Sequence, residues 1–263
     1  MFYHNINPVL LEIGPLQIRY YGLFYALGFV ITYFMIIYLA KRKEIPLTKD
    51  DAADFIIYQV IGIIFGARIV YILFYNLLFY IRNPIEIIAL WHGGLSFHGG
   101  LLGAIIATYL FCKKKKIHFY DIADIAVIPV ALALALGRIG NFINAELYGR
   151  ITDASWCIDY SKNQYVSDIP DGCRHPSQIY ESLKNFFIFA VLWAIKDKKL
   201  PKGFMFWSFV TLYGLFRTFI EFFRQPDEQI GLIFNYFTMG QLLSFPWFMI
   251  GLYMLFKLNK NKT

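Results

Sequence analysis

The sequence predicts an all-α polytopic membrane protein with about seven transmembrane helices, the N-terminus outside, the C-terminus cytoplasmic and a small extracytoplasmic insert. Of the 263 residues, 58% are hydrophobic and 16% are charged, whereas soluble domains carry about 25% charged residues. The hydrophobic residues form runs near the length of about 20 residues that a helix needs to cross hydrocarbon. Aromatic residues make up 19% of the chain, which fits lipid-facing surfaces and interfacial belts.

Seven apolar runs are the predicted transmembrane helices. They cover approximately residues 20–40, 52–75, 95–112, 122–137, 179–195, 204–222 and 237–256. The loop 76–94 is predicted to hold a short interfacial helix, and the polar stretch 150–177 is the extracytoplasmic insert between the fourth and fifth helices. No internal repeat is visible, so we expect residues 1–263 to form a single membrane domain.

Clusters of basic residues predict the orientation of the chain. They follow the first, third, fifth and seventh runs and comprise Lys41, Arg42, Lys43, Lys49, Lys113, Lys114, Lys115, Lys116, Lys196, Lys198, Lys199, Lys202, Lys257, Lys260 and Lys262. By the positive-inside rule this side is cytoplasmic. The formal net charge of +7 is thereby explained by topology, and we expect no nucleic-acid partner.

The basic residues elsewhere differ in type. Ten basic residues lie outside the cytoplasmic clusters, and eight of them are arginine, whereas the clusters contain one arginine among fifteen basic residues. Topology requires only positive charge, but the planar guanidinium suits bidentate contact with a phosphate. The split favours an anion-binding site in the outer half of the membrane. The alternative is that these arginines extend to the headgroup layer without specificity.

The strongest local signal is the segment GRIGNFINAELYGR at residues 137–150, which directly follows a nearly uncharged run. Two arginines, two asparagines, a glutamate and three glycines within fourteen residues are costly to hide from water at the end of a membrane segment. Glycine lets a backbone approach a ligand closely. We interpret the segment as a site for a phosphate-bearing ligand; the alternative is a polar exit from the membrane with a turn.

Two further groups are candidates for chemistry. His98, in HGGLSFHGGLLG, is either a general base or a histidine hydrogen-bonded between helices, and nearby Ser96 is badly spaced for a Ser–His dyad. Arg217, Glu221 and Arg224 lie at i, i+4 and i+7, which predicts one helix face carrying an excess arginine for an anion. The alternative is a self-neutralising ion ladder.

Other titratable residues carry weaker signals. Arg68 lies well inside the second run and needs a partner, for which Glu146, Glu181 and Glu221 are candidates. Cys157 and Cys173 share the insert and either form a disulfide in an oxidising compartment or stay free. No Cys or His pattern typical of metal ligands is present, so no metal site is predicted.

Several motifs together resemble those of one known family. They are IRYYGLFYALGF, FGARIVYILFYN, GGLSFHGGLLG, GRIGNFINAELYGR, RHPSQIYE, FRTFIEFFRQPD and MGQLLS, in this order along nearly the whole chain. They resemble the signature of the prolipoprotein diacylglyceryl transferase family. The chain departs from that pattern at His92, where relatives carry an acidic residue, and in a short, divergent stretch at 150–173.

The resemblance implies a reaction and a location. Members transfer the diacylglyceryl group of phosphatidylglycerol to the thiol of the lipobox cysteine in the signal peptide of a preprolipoprotein, forming a thioether and releasing glycerol 1-phosphate. They are multi-pass proteins of the bacterial plasma (inner) membrane, where lipids of the bilayer surround them. Their active site faces the outer leaflet, and they use no cofactor or metal.

The resemblance also implies roles for residues of this chain. Arg138 is expected to bind the lipid headgroup, Arg217 to hold or activate the reacting phosphate, and His98 to accept the thiol proton. The remaining expected substrate-binding residues are Tyr21, Asn141, Asn144, Glu146, Gly149, Tyr213, Glu221 and Arg224.

Two other function classes fit some of these residues. A transporter or flippase for an anionic lipid or solute would use the same arginines without chemistry, but transporters often contain paired repeats and none is visible. An intramembrane protease is less favoured because the chain lacks a G-x-S-x-G motif.

Overall fold

The computed structural model describes residues 1–14, 16–166, 169–226 and 236–260. Two sequence features, Asp227 and Lys262, lie outside the described residues. The chain divides into two compact units, one of Met1–Thr32 with Asp124–Thr263 and the other of Tyr33–Ala123. Each unit is considered by itself below.

Helices account for most of the described chain. They are α1 (Tyr20–Arg42), α2 (Lys49–Tyr75), α3 (Leu77–Arg82), α4 (Phe97–Lys115), α5 (Phe119–Ile143), α6 (Ser177–Ile195), α7 (Phe204–Ile220) and α8 (Met239–Lys260). Two short 3₁₀ helices, Pro84–Ile87 and Leu90–His92, follow α3. The expected short helix in the loop 76–94 is therefore confirmed.

The seven predicted apolar runs each coincide with a helix of at least 17 residues, namely all of these except α3. Among the described residues, four helices, α1, α2, α5 and α8, are long and apolar enough to cross a membrane, and α7 is a shorter apolar helix. Among the rest, α4 ends in three lysines and α6 carries a row of buried polar residues. The chain is thus a mostly helical, polytopic membrane protein, and the count of seven spans stays a prediction.

The expectation of an all-α fold is wrong outside the helices, because five short strands form two sheets in the part of the chain that the structure describes. Strands β2 (Val9–Ile13) and β3 (Leu16–Arg19) are antiparallel. Strand β4 (Ile158–Asp159) pairs in parallel with β1 (Phe2–Tyr3) and antiparallel with β5 (Cys173–Arg174). Strands of two to five residues are too short to leave a reliable alternating pattern in the sequence.

The first unit contains the insert, which has a small core of its own. Tyr160 is fully buried among Ala145, Ile158 and neighbouring aromatic rings. A disulfide joins Cys157 to Cys173, which resolves the alternative that the sequence left open. The β1–β4 pairing attaches the N-terminal segment to this insert.

The second unit is built on a very close crossing of α2 and α4. A Cβ placed on Gly66 would lie 2.8 Å from the Cα of Gly103, and one placed on Gly62 would lie 2.6 Å from the Cβ of Ala107. These glycines therefore allow the two backbones to touch. Gly99 belongs to the same crossing, because a Cβ on it would lie 3.0 Å from the Cα of Ala67.

Arg68, also in the second unit, does not use the carboxylate partners that the sequence suggested. Its Nε donates to the carbonyl of Ile87 at 3.0 Å, and its two Nη atoms donate to four more backbone carbonyls, those of Glu86, Ala89, Gly93 and Gly94. A guanidinium has five N–H donors, so these carbonyls occupy all of them. The role of Arg68 is to hold the loop after α3 against α2.

Candidate active site

A buried carboxylate on α6 joins the two arginines that the sequence singled out. Arg217, on α7, donates through Nη1 to Oε1 of Glu181. Arg138, near the end of α5, places its Nε 3.9 Å from Oε2 of the same carboxylate. Three helices of the first unit thus converge on Glu181, which is 2% exposed.

Two more charged residues complete what we term the charged cluster, defined as Arg138, Glu181, Lys184, Arg217 and Glu221. Lys184 donates to Oε2 of Glu181 at 2.6 Å, and Nη2 of Arg217 lies 2.7 Å from Oε2 of Glu221. Three cations face two carboxylates, so the formal charge of the cluster is +1. A positive surplus among buried groups is unfavourable unless an anion neutralises it.

The first turn of α8 supports the cluster from a fourth helix. A Cβ built on Gly240 would lie 2.5 Å from the carboxyl carbon of Glu221, so only glycine leaves room for that carboxylate. A negative group at a helix N-terminus interacts favourably with the helix dipole. This contact explains why the glycine of MGQLLS belongs to the site.

Side-chain contacts of two asparagines connect Arg138 to the exposed residue Glu146. Nη1 of Arg138 is 3.4 Å from Oδ1 of Asn141, whose Nδ2 donates to Glu146 at 2.8 Å. Nδ2 of Asn144 donates to the same oxygen of Glu146 at 3.3 Å. Tyr21 lies beside this group, since its ring atom Cδ2 would be 3.0 Å from a Cβ built on Gly140. The structure therefore brings four predicted substrate-binding residues to the side of Arg138.

The turn after α5 produces this arrangement. Ala145 and Leu147 both have positive φ angles, 55° and 57°, which side-chain-bearing residues adopt only at an energetic cost. The turn reverses the chain so that the backbone N–H of Glu146 donates to the carbonyl of Asn141 at 3.1 Å. The Glu146 carboxylate consequently faces back toward the end of α5.

Gly149 and Arg224 meet beyond the helices, in an isolated antiparallel bridge. A Cβ on Gly149 would lie 2.6 Å from the Phe223 carbonyl oxygen, so the glycine serves this close approach. Because α7 ends at Ile220, Arg224 is not on the helix that carries Arg217. The predicted single helix face is therefore wrong for Arg224, whereas the Arg217–Glu221 pair is confirmed.

Tyr213 borders the cluster, whereas His175 lies next to Gly149. The ammonium of Lys184 lies 4.0 Å from the ring centre of Tyr213 on α7, which places that predicted residue beside the cluster. His175, just before α6, accepts the N–H of Gly149 through its carbonyl at 2.9 Å. Burial lowers the pKa of the His175 imidazole, so this ring is neutral at neutral pH.

His98 belongs to the second unit, where it is exposed in the first turn of α4. The helix begins after Ser96, whose hydroxyl accepts the N–H of Gly99 at 3.3 Å. Ser96 is thus an N-cap, which agrees with the view that it forms no catalytic dyad. His92 contacts the carboxylate of Glu86 at 2.8 Å. The assignment of His98 as a base stays a prediction.

The sequence interpretation did not place Glu181 and Lys184 in the site, although a signal for them exists. Gln178, Glu181, Ser182 and Asn185 recur at helical spacing and are all buried in α6. A polar stripe on a helix within an apolar chain indicates a polar interior face. Within the described ranges, no group of three or more His, Cys, Asp or Glu residues could hold a metal ion.

Comparison with known proteins identifies the family. The family described as prolipoprotein diacylglyceryl transferase matches residues 8–257. The chain is 47% identical to the phosphatidylglycerol–prolipoprotein diacylglyceryl transferase of Geobacter sulfurreducens, over 100% of this chain and 99% of the relative. It is 46% identical to the enzyme of that name from Rickettsia rickettsii, over 98% and 99%, and 41% identical to that from Legionella pneumophila, over 96% and 97%. The chain therefore belongs to the prolipoprotein diacylglyceryl transferase family.

Proposed function

We propose that this chain transfers the diacylglyceryl group of phosphatidylglycerol to the thiol of the lipobox cysteine of a preprolipoprotein. The observation that carries the proposal is the convergence of Arg138 and Arg217 on one buried carboxylate. Membership of the family and the names of its relatives support the same reaction.

The reaction is a displacement at carbon. A base removes the thiol proton, and the thiolate attacks the glycerol carbon of the diacylglyceryl group that bears the phosphate ester. A carbon–sulfur bond forms while the carbon–oxygen bond breaks, and its electron pair leaves on the phosphate oxygen. The products are a thioether and glycerol 1-phosphate.

The charged cluster suits this displacement because the phosphate gains negative charge as it leaves. A phosphodiester of charge −1 becomes a phosphomonoester that approaches −2. Fixed guanidinium groups stabilise the developing charge more than the starting diester, which lowers the barrier. We assign binding of the headgroup phosphate to Arg138. We assign to Arg217 the stabilisation of the negative charge that develops on this same phosphate as it leaves.

The neighbouring polar residues suit the glycerol of the headgroup. Glu146 is exposed, and the two asparagine amides beside it also present hydrogen-bonding groups. Vicinal hydroxyls require both acceptors and donors, and a carboxylate flanked by amides supplies both. We assign recognition of the headgroup glycerol to Asn141, Asn144, Glu146 and Tyr21.

His98 is our candidate for the base, since its ordinary pKa lies near neutrality. The nucleophile belongs to the protein substrate, and only its thiolate form is reactive.

We place the protein in the bacterial inner membrane as a multi-pass protein with its active site toward the outer leaflet. The Cys157–Cys173 disulfide in the insert supports an oxidising, extracytoplasmic environment for that segment. The lysine clusters at the opposite helix ends support the same orientation.

The test is a lipidation assay with purified protein, phosphatidylglycerol and a lipobox peptide, read by mass spectrometry. The expected product is the peptide carrying a diacylglyceryl thioether. Arg138→Ala should abolish most of it, whereas Arg82→Ala, at an exposed arginine outside the charged cluster, should not. Movement of the lipid between leaflets without thioether formation would contradict the proposal and indicate a transporter.

A further inference from the structure

Lys184 is a buried cation that the proposed reaction does not itself require. Its side chain is 2% exposed, and its ammonium group is shared between Glu181 and the ring of Tyr213. We infer that Lys184 is a positioning residue, which keeps Arg138 available to the lipid phosphate by occupying the oxygen of Glu181 that Arg138 would otherwise bind.

The geometry around Glu181 supports this role. One carboxylate oxygen accepts from Arg217, and the other accepts from Lys184 at 2.6 Å. Arg138 approaches that second oxygen only to 3.9 Å, which is beyond hydrogen-bond length. Arg138 is therefore attracted to Glu181 without being bonded to it.

Removing the ammonium would change both the contacts and the charge. The second oxygen of Glu181 would be left buried without its closest cation, a costly state. Arg138 is the other cation next to that oxygen, so it would be drawn into a direct pair with Glu181. The formal charge of the cluster would also fall from +1 to 0, and both effects weaken binding of an anionic headgroup.

The inference rests on the proposed function, because it assumes that Arg138 meets the lipid phosphate. The experiment measures kcat, KM for phosphatidylglycerol in mixed micelles, and the Kd of a short-chain phosphatidylglycerol by calorimetry. For Lys184→Met we expect KM and Kd to rise about tenfold, equivalent to about 1.4 kcal/mol. We also expect kcat to fall, because the cluster loses positive charge that stabilises the leaving phosphate. Lys113→Met, the same substitution at an exposed lysine of α4, is the matched control.

A charge-restoring variant separates positioning from packing. In Glu181→Gln/Lys184→Met both partners are neutral and the cluster returns to +1, so Arg138 has no carboxylate to bind at that position. We expect KM and Kd to recover at least about threefold from the values of Lys184→Met toward those of wild type. Glu181→Gln alone completes the double-mutant cycle, which should be non-additive. Replacing both charges of a buried pair is also better tolerated than removing one, so this variant decides the case if Lys184→Met fails to fold.

Two results would overturn the inference: unchanged affinity in folded Lys184→Met, or a double variant whose affinity is as weak as that of Lys184→Met. Failure of the proposed function would look different, since wild type itself would then form no thioether. The calorimetric Kd values would still test Lys184 in that case.

Discussion

Arg138 and Arg217 differ in how firmly the protein holds them. Arg217 is 8% exposed and is bound by two carboxylates, Glu181 and Glu221. Arg138 has a more exposed side chain, and its polar contacts with the described residues are long, at 3.9 Å to Glu181 and 3.4 Å to Asn141. A firmly held guanidinium provides a fixed positive field, whereas a loosely held one can bind an arriving phosphate.

The first prediction concerns that binding geometry. Arg138→Lys keeps the charge but loses the planar fork, so we expect thioether formation to fall on the order of 10²–10³-fold. The lipidation assay measures this directly, with size-exclusion chromatography to show that the variant is folded. Full activity in Arg138→Lys would refute a bidentate phosphate contact.

The second prediction concerns the proton acceptor. If His98 is the general base, His98→Gln should lower the rate about 10²–10⁴-fold. It should also remove the limb of the pH–rate profile that reports deprotonation of the imidazole. Substantial turnover with an unchanged profile would eliminate His98 as the base.

At the residue scale the sequence located the arginines but not the groups that orient them. Arg138 and Arg217 were evident because arginine is unusual inside a membrane segment. Their meeting point, Glu181, depends on the packing of α5, α6 and α7, which no local pattern specifies. The prediction that Arg224 shares a helix face with Arg217 was wrong for a similar reason. No glycine or proline directly follows Ile220, where α7 ends, so the sequence does not mark this boundary.

At the element scale, the contact between α2 and α4 depends on glycine. Gly103 and Gly100 lie on the same helix but face different surroundings. A Cβ at Gly103 would lie 2.8 Å from the carbonyl carbon of Gly62, whereas one at Gly100 would meet its nearest side chain at an ordinary 3.5 Å.

The third prediction follows from this difference. Gly103→Ala must separate two backbones, so we expect it to reduce the free energy of unfolding by about 1–3 kcal/mol. Gly100→Ala is the matched control, and should be neutral or slightly stabilising because alanine favours a helix. Thermal unfolding in detergent compares the two. Equal stability of both variants would contradict the close crossing.

The insert is an element whose stability should depend on pH. His4 is fully buried; its Nδ1 accepts from Asn163 at 2.7 Å and its Nε2 donates to the carbonyl of Phe142 at 2.8 Å. Both ring nitrogens are thus satisfied in the neutral form, and burial lowers the pKa of this imidazole below its ordinary value of 6.5.

The fourth prediction states the sign of that dependence. In the unfolded state the His4 imidazole binds a proton near pH 6.5, whereas in the folded state its lowered pKa opposes protonation. The contribution of His4 to the free energy of unfolding is therefore complete above this pH and is lost as the pH falls below it. His175, with a lowered pKa as well, acts in the same direction. We expect faster proteolysis of the insert at pH 5 than at pH 7.5, and a smaller difference in His4→Gln. Proteolysis independent of pH would contradict a neutral buried His4.

For the whole molecule, composition and the spacing of apolar runs were enough to predict a polytopic helical membrane protein. Hydrocarbon thickness sets the length of a spanning helix, so each apolar run marks one helix. The two small sheets escaped prediction because β1, β4 and β5 pair residues far apart in sequence, and each has only two residues. The pairing of these strands depends on tertiary contacts in the folded insert and not on the β propensity of each strand.

The central claim is that helices distant in sequence bring guanidinium groups to one lipid phosphate. Solid-state NMR measures it most directly, through dipolar coupling between the phosphorus of bound phosphatidylglycerol and ¹⁵N-labelled arginine side chains. The account predicts clear phosphorus dephasing in wild type and a large loss of it in Arg138→Lys. Dephasing that is absent, or identical in the two proteins, would show that the phosphate binds elsewhere.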